Sequence, residues 1–303
     1  MSTPWNLRSL ALLLSLSLIA CTTATTQSPT ASPSSTNSPN QITPPTNQTA
    51  NRVVALTSLS ADIIQRLARS KLVAIPGSRL LKQDTRFQGL PTVSEGRTMP
   101  NLEAIVNLKP NLVIGAVGIH DQTLRKLERL GIQTFQTELK SWDSLGTVTR
   151  AIAQHIDADP TPLLQEYQSL LTDIPTQSPS TLILASHQPI LAPNKNSWAG
   201  DLLTQFRAKN VAADLQGQSV MAGYITLSPE KLLEANPRVL ILVNIEQDIA
   251  KKFKSESFWN QLQAVQANRV YVLDYYGLVN PGSIDAIKQA CNQLKQALKP
   301  EAN

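Results

Sequence analysis

One unit of sequence grammar occurs twice. GRTMPNLEAIVNLKPNLVIGAV begins at Gly96 and SPEKLLEANPRVLILV begins at Ser228, about 125 residues apart. Each copy reads as a capped start, a glutamate, a short amphipathic helix, a proline and then a run too apolar for a surface strand. In the first copy Leu102, Ile105, Val106 and Leu108 give the helix one apolar side. Lys109-Pro110 ends it, because the residue before proline is pushed out of the α region. LVIGAV and VLILV, bounded by turn residues, read as buried parallel strands. A unit used twice predicts two similar α/β lobes.

The chain is long enough for two lobes with cores, at 303 residues, 42% hydrophobic and 16% charged. Its start is set apart from the rest. Residues 1–20 carry Arg8 as their only charge, followed by the apolar LALLLSLSLIA, too short to span a membrane as a mature helix. The run ends Leu18-Ile19-Ala20-Cys21, which resembles a bacterial lipoprotein signal. That resemblance implies a lipidated Cys21 as the first mature residue, on an exported chain. A plain secretory signal with an accidental cysteine is the other reading.

Residues 21–50 hold no charge and are dominated by Thr, Ser, Pro, Asn and Gln. They read as a disordered tether, able to hold a body roughly 30 Å from its anchor. Cys291 is the only other cysteine. It falls in a helix pattern and reads as a small buried hydrophobe. The net charge of +5 falls by one when Arg8 leaves. Basic residues are scattered without interleaved aromatics, which argues against nucleic-acid binding.

From residue 51 onward, strand and helix patterns alternate. RVVAL, KLVAIPG, LVIGAV and GIQTFQT read as strands, and TLILAS, VLILV and RVYVLD repeat the theme in the second half. Helices are expected at ADIIQRLARS, DQTLRKLERL, SWDSLGTVTRAIAQHI, SWAGDLLTQFRAKN, ESFWNQLQAVQ and the C-terminus. Such alternation predicts an α/β fold: two Rossmann-like lobes with parallel sheets, at 51–155 and 180–303, joined by one long interlobe helix at 156–175.

Ligands of open parallel sheets sit beyond the carboxyl ends of the strands. The candidate residues there are Ser58, Arg97, His120, His187, Trp198, Tyr224 and Tyr276. An arginine in a glycine-flanked turn suits bidentate binding of an anion. Trp198 is expected to stack on a ligand and to report its binding by fluorescence. Tyrosine offers an apolar face and a hydroxyl. His120 and His187 lie one per lobe, without the additional ligands that a metal site needs. P-loop, G-x-S-x-G, H-E-x-x-H and G-x-G-x-x-G motifs are absent, so catalysis is not expected. A hydrolase using Ser58 and His120 is the competing reading of another class.

RVVALTSLSADII, GRTMPNLEAIVNLKPNLVIG, NSWAGDLLTQFRAKNVA, ITLSPEKLLEANPRVLIL and RVYVLDYYG together resemble the periplasmic binding proteins that have a rigid helix between their lobes. Those proteins serve ABC importers of ferric siderophores, haem and cobalamin. The resemblance implies that Glu103 and Glu230 pair with arginines of a membrane permease. It also implies that Arg97 and Tyr276 touch a ferric hydroxamate. Ile119 departs from that pattern, standing where an aromatic residue belongs. The tryptophan of cobalamin binders before the short helix is missing too. The expectation is a monomeric, lipid-anchored solute-binding protein that delivers an iron–siderophore complex to an importer permease. It is placed at the periplasmic or cell-surface face of a bacterial membrane, with no cofactor of its own beyond the Fe(III) chelate it carries. Haem or cobalamin is the alternative ligand.

Overall fold

The computed structural model describes residues 49–95, 98–176, 178–213, 215, 221–245 and 248–299. The signal, Cys21, nearly all of the tether and Arg97 lie outside the described residues.

The first lobe runs β1 (Val53–Ala55), α1 (Ser58–Ala68), β2 (Leu72–Ala74), α2 (Arg79–Lys82), α3 (Leu102–Asn107), β3 (Leu112–Ala116), α4 (Asp121–Arg129) and β4 (Gln133–Thr137). Then come α5 (Trp142–His155) and α6 (Thr161–Leu170). The second lobe runs β5 (Ser180–Leu184), β6 (Ile190–Pro193), α7 (Trp198–Gln205), β7 (Lys209–Asn210), β8 (Tyr224–Leu227), α8 (Pro229–Ala235) and β9 (Val239–Asn244). It continues with α9 (Ile249–Lys254), α10 (Gln263–Gln266), β10 (Val270–Asp274), α11 (Tyr275–Leu278) and α12 (Ile284–Ala297).

Both sheets are parallel. Their orders are β2-β1-β3-β4 and β10-β9-β5-β7. Reversed, the second is β7-β5-β9-β10, so each lobe places its strands second, first, third, fourth in chain order. The repeated unit occupies the same place in both: α3 leads into β3, and α8 leads into β9. Their chemistry corresponds as well. Asn101 caps α3 by accepting from the N–H of Ala104 at 3.0 Å, and Ser228 caps α8 by accepting from Lys231 at 3.3 Å. Each stop is a left-handed residue before proline, Lys109 at φ 47° and Asn236 at φ 34°, which is how the chain leaves the helix when the α region is denied to it.

The link between the sheets differs from the expected single helix over 156–175. The helix in that range is Thr161–Leu170, ten residues and about 15 Å long. It is cut from α5 by Asp157 at φ 46° and by Pro160. Further differences lie in the second lobe, where the stretch expected as one helix through Asn210 ends at Gln205 and gives way to β7. An antiparallel pair, β6 with β8, is inserted beside the parallel sheet where a loop was expected. α9 was not anticipated. The helix expected at ESFWNQLQAVQ is a 3-10 turn at Trp259–Gln261 followed by the short α10.

One hydrophobic core runs through both lobes. It joins Val53, Ala55 and Ile64 of the first lobe to Leu145, Ile152, Leu163 and Tyr167 of α5 and α6. From there it continues to Ile183, Leu202, Phe206, Ile241, Ile287 and Leu294 of the second. Cys291 is part of it, and burial pushes its thiol up to about 12. The outer face of each sheet has its own cluster, around Ile105 and Leu127 in the first lobe and around Leu232 and Phe253 in the second.

Candidate ligand-binding cleft

In a parallel α/β lobe, helix N-termini and strand carboxyl ends lie on the same edge. The two lobes touch through those edges. The N–H of Ile284, opening α12, donates to Asp62 of α1 at 2.7 Å. The N–H of Trp142, opening α5, donates to Asp201 of α7 at 2.7 Å. The indoles of Trp142 and Trp198 stack with centroids 6.0 Å apart and planes 24° apart. Around Asp62, which is fully buried, Arg66 and Arg86 each approach to 3.2 Å. Both reach across to Asp285 of α12, at 2.7 and 2.8 Å. The segment after β10 belongs to the same seam, through the bond from the Trp198 indole to the carbonyl of Gly277.

Ser58 is the first residue of α1 and half-buried. Thr57 caps that helix, accepting from the N–H of Ser60 at 3.2 Å. His120 follows β3. Its Nδ1 accepts from the N–H of Ala116 at 2.9 Å, which places the ring proton on Nε2, and burial holds its pKa below the ordinary value. The ring packs under Gly115, where a Cβ would lie 2.9 Å from that of His120. Among the described residues no hydrogen bond joins His120 to Ser58. His187, in the turn after β5, has Nε2 2.7 Å from Glu256 Oε1 and its ring edge-on to Phe253 at 4.9 Å.

Trp198 corrects an expectation. It does not line the cleft. It is only 4% exposed, stacked on Trp142, with its indole N–H donating to the carbonyl of Gly277 at 2.8 Å. Its place at a helix start suggested a ligand-facing ring. The first turn of α7 is instead buried in the seam. Tyr224 opens β8 half-buried, and desolvation pushes its phenol up to about 12. Tyr276 packs edge-on against Tyr275 at 5.3 Å, and its N–H donates to Asp274 at 2.7 Å. Gly282 lets Leu80 of the first lobe and Tyr276 of the second close over it. A Cβ there would lie 2.9 Å from side-chain carbons of both.

Exposed apolar side chains also follow the strands, and of these only Ile119 had been singled out in the sequence. Val117 and Ile119 after β3, and Ile245 after β9, are large apolar side chains exposed by 46%, 67% and 45%. Met99, shortly after the first GR turn, and Met221, just before β8, are exposed as well. The sequence signal was faint: apolar residues in the turns AVGIH and VNI, where solvated turns usually carry polar ones. Glu103 and Glu230 are both exposed, each two places after its helix cap, one per lobe. The Ser228 hydroxyl and Glu230's own backbone N–H hold the Glu230 carboxyl below its usual range. Among the described residues no His, Cys, Asp and Glu group could hold a metal ion. None of the described helices is long and apolar enough to cross a membrane.

A family model described as periplasmic binding protein matches residues 53–276. The vitamin B12-binding protein of Vibrio cholerae is 26% identical over 262 residues, covering 82% of this chain and 91% of that one. Two solved structures share the fold across 82% of this chain. The periplasmic vitamin B12 binding protein of Vibrio cholerae matches over 98% of its length with TM-score 0.64 and 23% identity. The periplasmic heme binding protein of the same organism matches over 99% with TM-score 0.67 and 19% identity. The matched span takes in both parallel sheets, and the chain belongs to the periplasmic binding protein family.

Proposed function

We propose that the chain is the capture subunit of an ABC importer, binding a metal chelate between its lobes and presenting it to a membrane permease. The chelate is of the corrinoid or haem class. The observation that carries this reading is that the turns after the carboxyl ends of β3 and β9 expose Val117, Ile119 and Ile245, while the corresponding end of β10 carries paired tyrosines. A broad, flat, largely apolar ring with a polar rim matches such an edge, because large apolar side chains left exposed together mark a binding surface. The relative named for vitamin B12 supports the same choice. The iron–siderophore reading rests on Arg97, which lies outside the described residues, and on Tyr276, which a corrinoid or haem reading uses equally well.

Glu103 and Glu230 are the permease contacts on this reading, and Cys21 carries the lipid that holds the body at the membrane. A diacylglyceryl mass on the mature N-terminus tests that anchor, and its absence removes it. Titration of the chain with cyanocobalamin, haem, a ferric hydroxamate, a ferric catecholate and ferric citrate tests the ligand class. Binding of cyanocobalamin or haem in the micromolar range or tighter, ahead of the ferric siderophores, is expected, corresponding to about 8 kcal/mol or more. Binding of none of them would overturn the reading, and preference for the ferric hydroxamate would return it to iron.

A further inference from the structure

Two carboxylates cross the seam in opposite directions. Asp62 of the first lobe accepts from the first N–H of α12 in the second, and Asp201 of the second accepts from the first N–H of α5 in the first, each at 2.7 Å. They stand on helices that occupy similar places in the internal repeat. SLSADII at 58–64 and SWAGDLL at 197–203 are alike in sequence, and each aspartate lies early in its helix, Asp62 five places after the Thr57 cap and Asp201 four after the Ser197 cap. The helices they meet correspond too, because α5 follows β4 and α12 follows β10, the fourth strands of their sheets. Ser141-Trp142-Asp143 opens one and Ser283-Ile284-Asp285 the other. Each serine caps its own helix, accepting at 3.2 Å from the N–H three residues on.

The first N–H groups of a helix have no partner within it. Here the serine of the same helix satisfies one of them and a carboxylate of the opposite lobe satisfies another. A negative group at that end also complements the helix dipole, and a charged acceptor makes the hydrogen bond strong. Neither contact alone would stop the lobes from swivelling. Two contacts at different helix pairs, α1 with α12 and α7 with α5, allow rotation only if one breaks. The first is braced by the arginine pairs to Asp285, and the second by the stacked indoles of Trp142 and Trp198.

We propose that Asp62 and Asp201 are positioning residues that form a reciprocal two-point latch, fixing the angle between the lobes within which a ligand is captured. The test needs no ligand, so its outcome is separable from the choice of chelate. Spin labels on cysteines placed at Asn107 and Glu234, exposed positions of α3 and α8, report the interlobe distance by double electron–electron resonance in a Cys21→Ser chain. A single narrow distribution is expected for the parent. Asp201→Ala broadens it toward longer distances, and Asp201→Asn, which keeps an acceptor oxygen, restores it. An unchanged narrow distribution in a folded Asp201→Ala chain would overturn the latch. Equal broadening by the alanine and asparagine variants would overturn it as well, by assigning the effect to packing. Should the alanine variant not fold, Asp201→Leu, which keeps the volume and has no acceptor, takes its place. A broader distribution then supports the latch and an unchanged one overturns it.

Discussion

His120 shows how a side chain at a cleft edge can serve the scaffold. Its Nδ1 accepts from Ala116, and burial holds it neutral. His155, whose ring lies 4.7 Å from Phe135, is lowered by the same cause. Between these lowered values and the unfolded value of 6.5, the unfolded chain binds more protons than the folded one, so stability rises with pH. The histidine contribution is therefore complete above about pH 6.5 and is lost as pH falls through the folded values, at no more than about 1.4 kcal/mol per pH unit for each ring. Thermal unfolding across pH ~7 to ~5 should show that slope, and His120→Asn should flatten it; an undiminished slope would mean the ring is not held neutral. Single residues were the least legible part of the sequence. Trp198 and His187 both follow strands, and the pattern placed them as ligand contacts on that ground alone. It could not tell that one ring turns into the seam onto Trp142 and that the other faces Glu256 and Phe253. Side-chain direction depended on partners from elements 56 and 69 residues away.

At the scale of elements the sequence was far more informative. Period and punctuation located the long helices and all of the parallel strands except β7, a two-residue edge strand too short to leave a pattern. The repeated unit identified the elements that carry Glu103 and Glu230, and both carboxylates stand exposed at the start of equivalent helices. Replacing both with alanine should abolish uptake of the chelate in cells. It should leave chelate affinity within about 0.5 kcal/mol of the parent, as for surface changes that touch no core group. Undiminished uptake would remove docking from their role. What the pattern missed has physical reasons. β6 and β8 are short and pair with each other, antiparallel, across a long stretch of chain, so neither carries a helix-linked signature. α6 has helix-forming residues on either side, but the left-handed Asp157 shortens it at the front and the left-handed Asp173 follows close behind its end.

For the whole molecule, the decisive fact is that the lobes share a core. Val53 and Ile64 belong to the same buried cluster as Phe206 and Ile287. Separating the lobes widely would expose that surface, at about 25 cal/mol for each Å² of apolar area uncovered, besides breaking the Asp62 and Asp201 contacts. On the proposed function, capture with limited closure is the expected mode: the ligand enters an edge already formed and both lobes contact it together. Hydrogen–deuterium exchange with and without the chelate that binds in titration tests this most directly. The account predicts slower exchange at 57–59 and 117–120 in the first lobe and at 245 and 275–277 in the second, appearing together at one ligand concentration. Protection confined to one lobe, or centred instead on the outer face of α12 around Gln289 and Gln293, would contradict it.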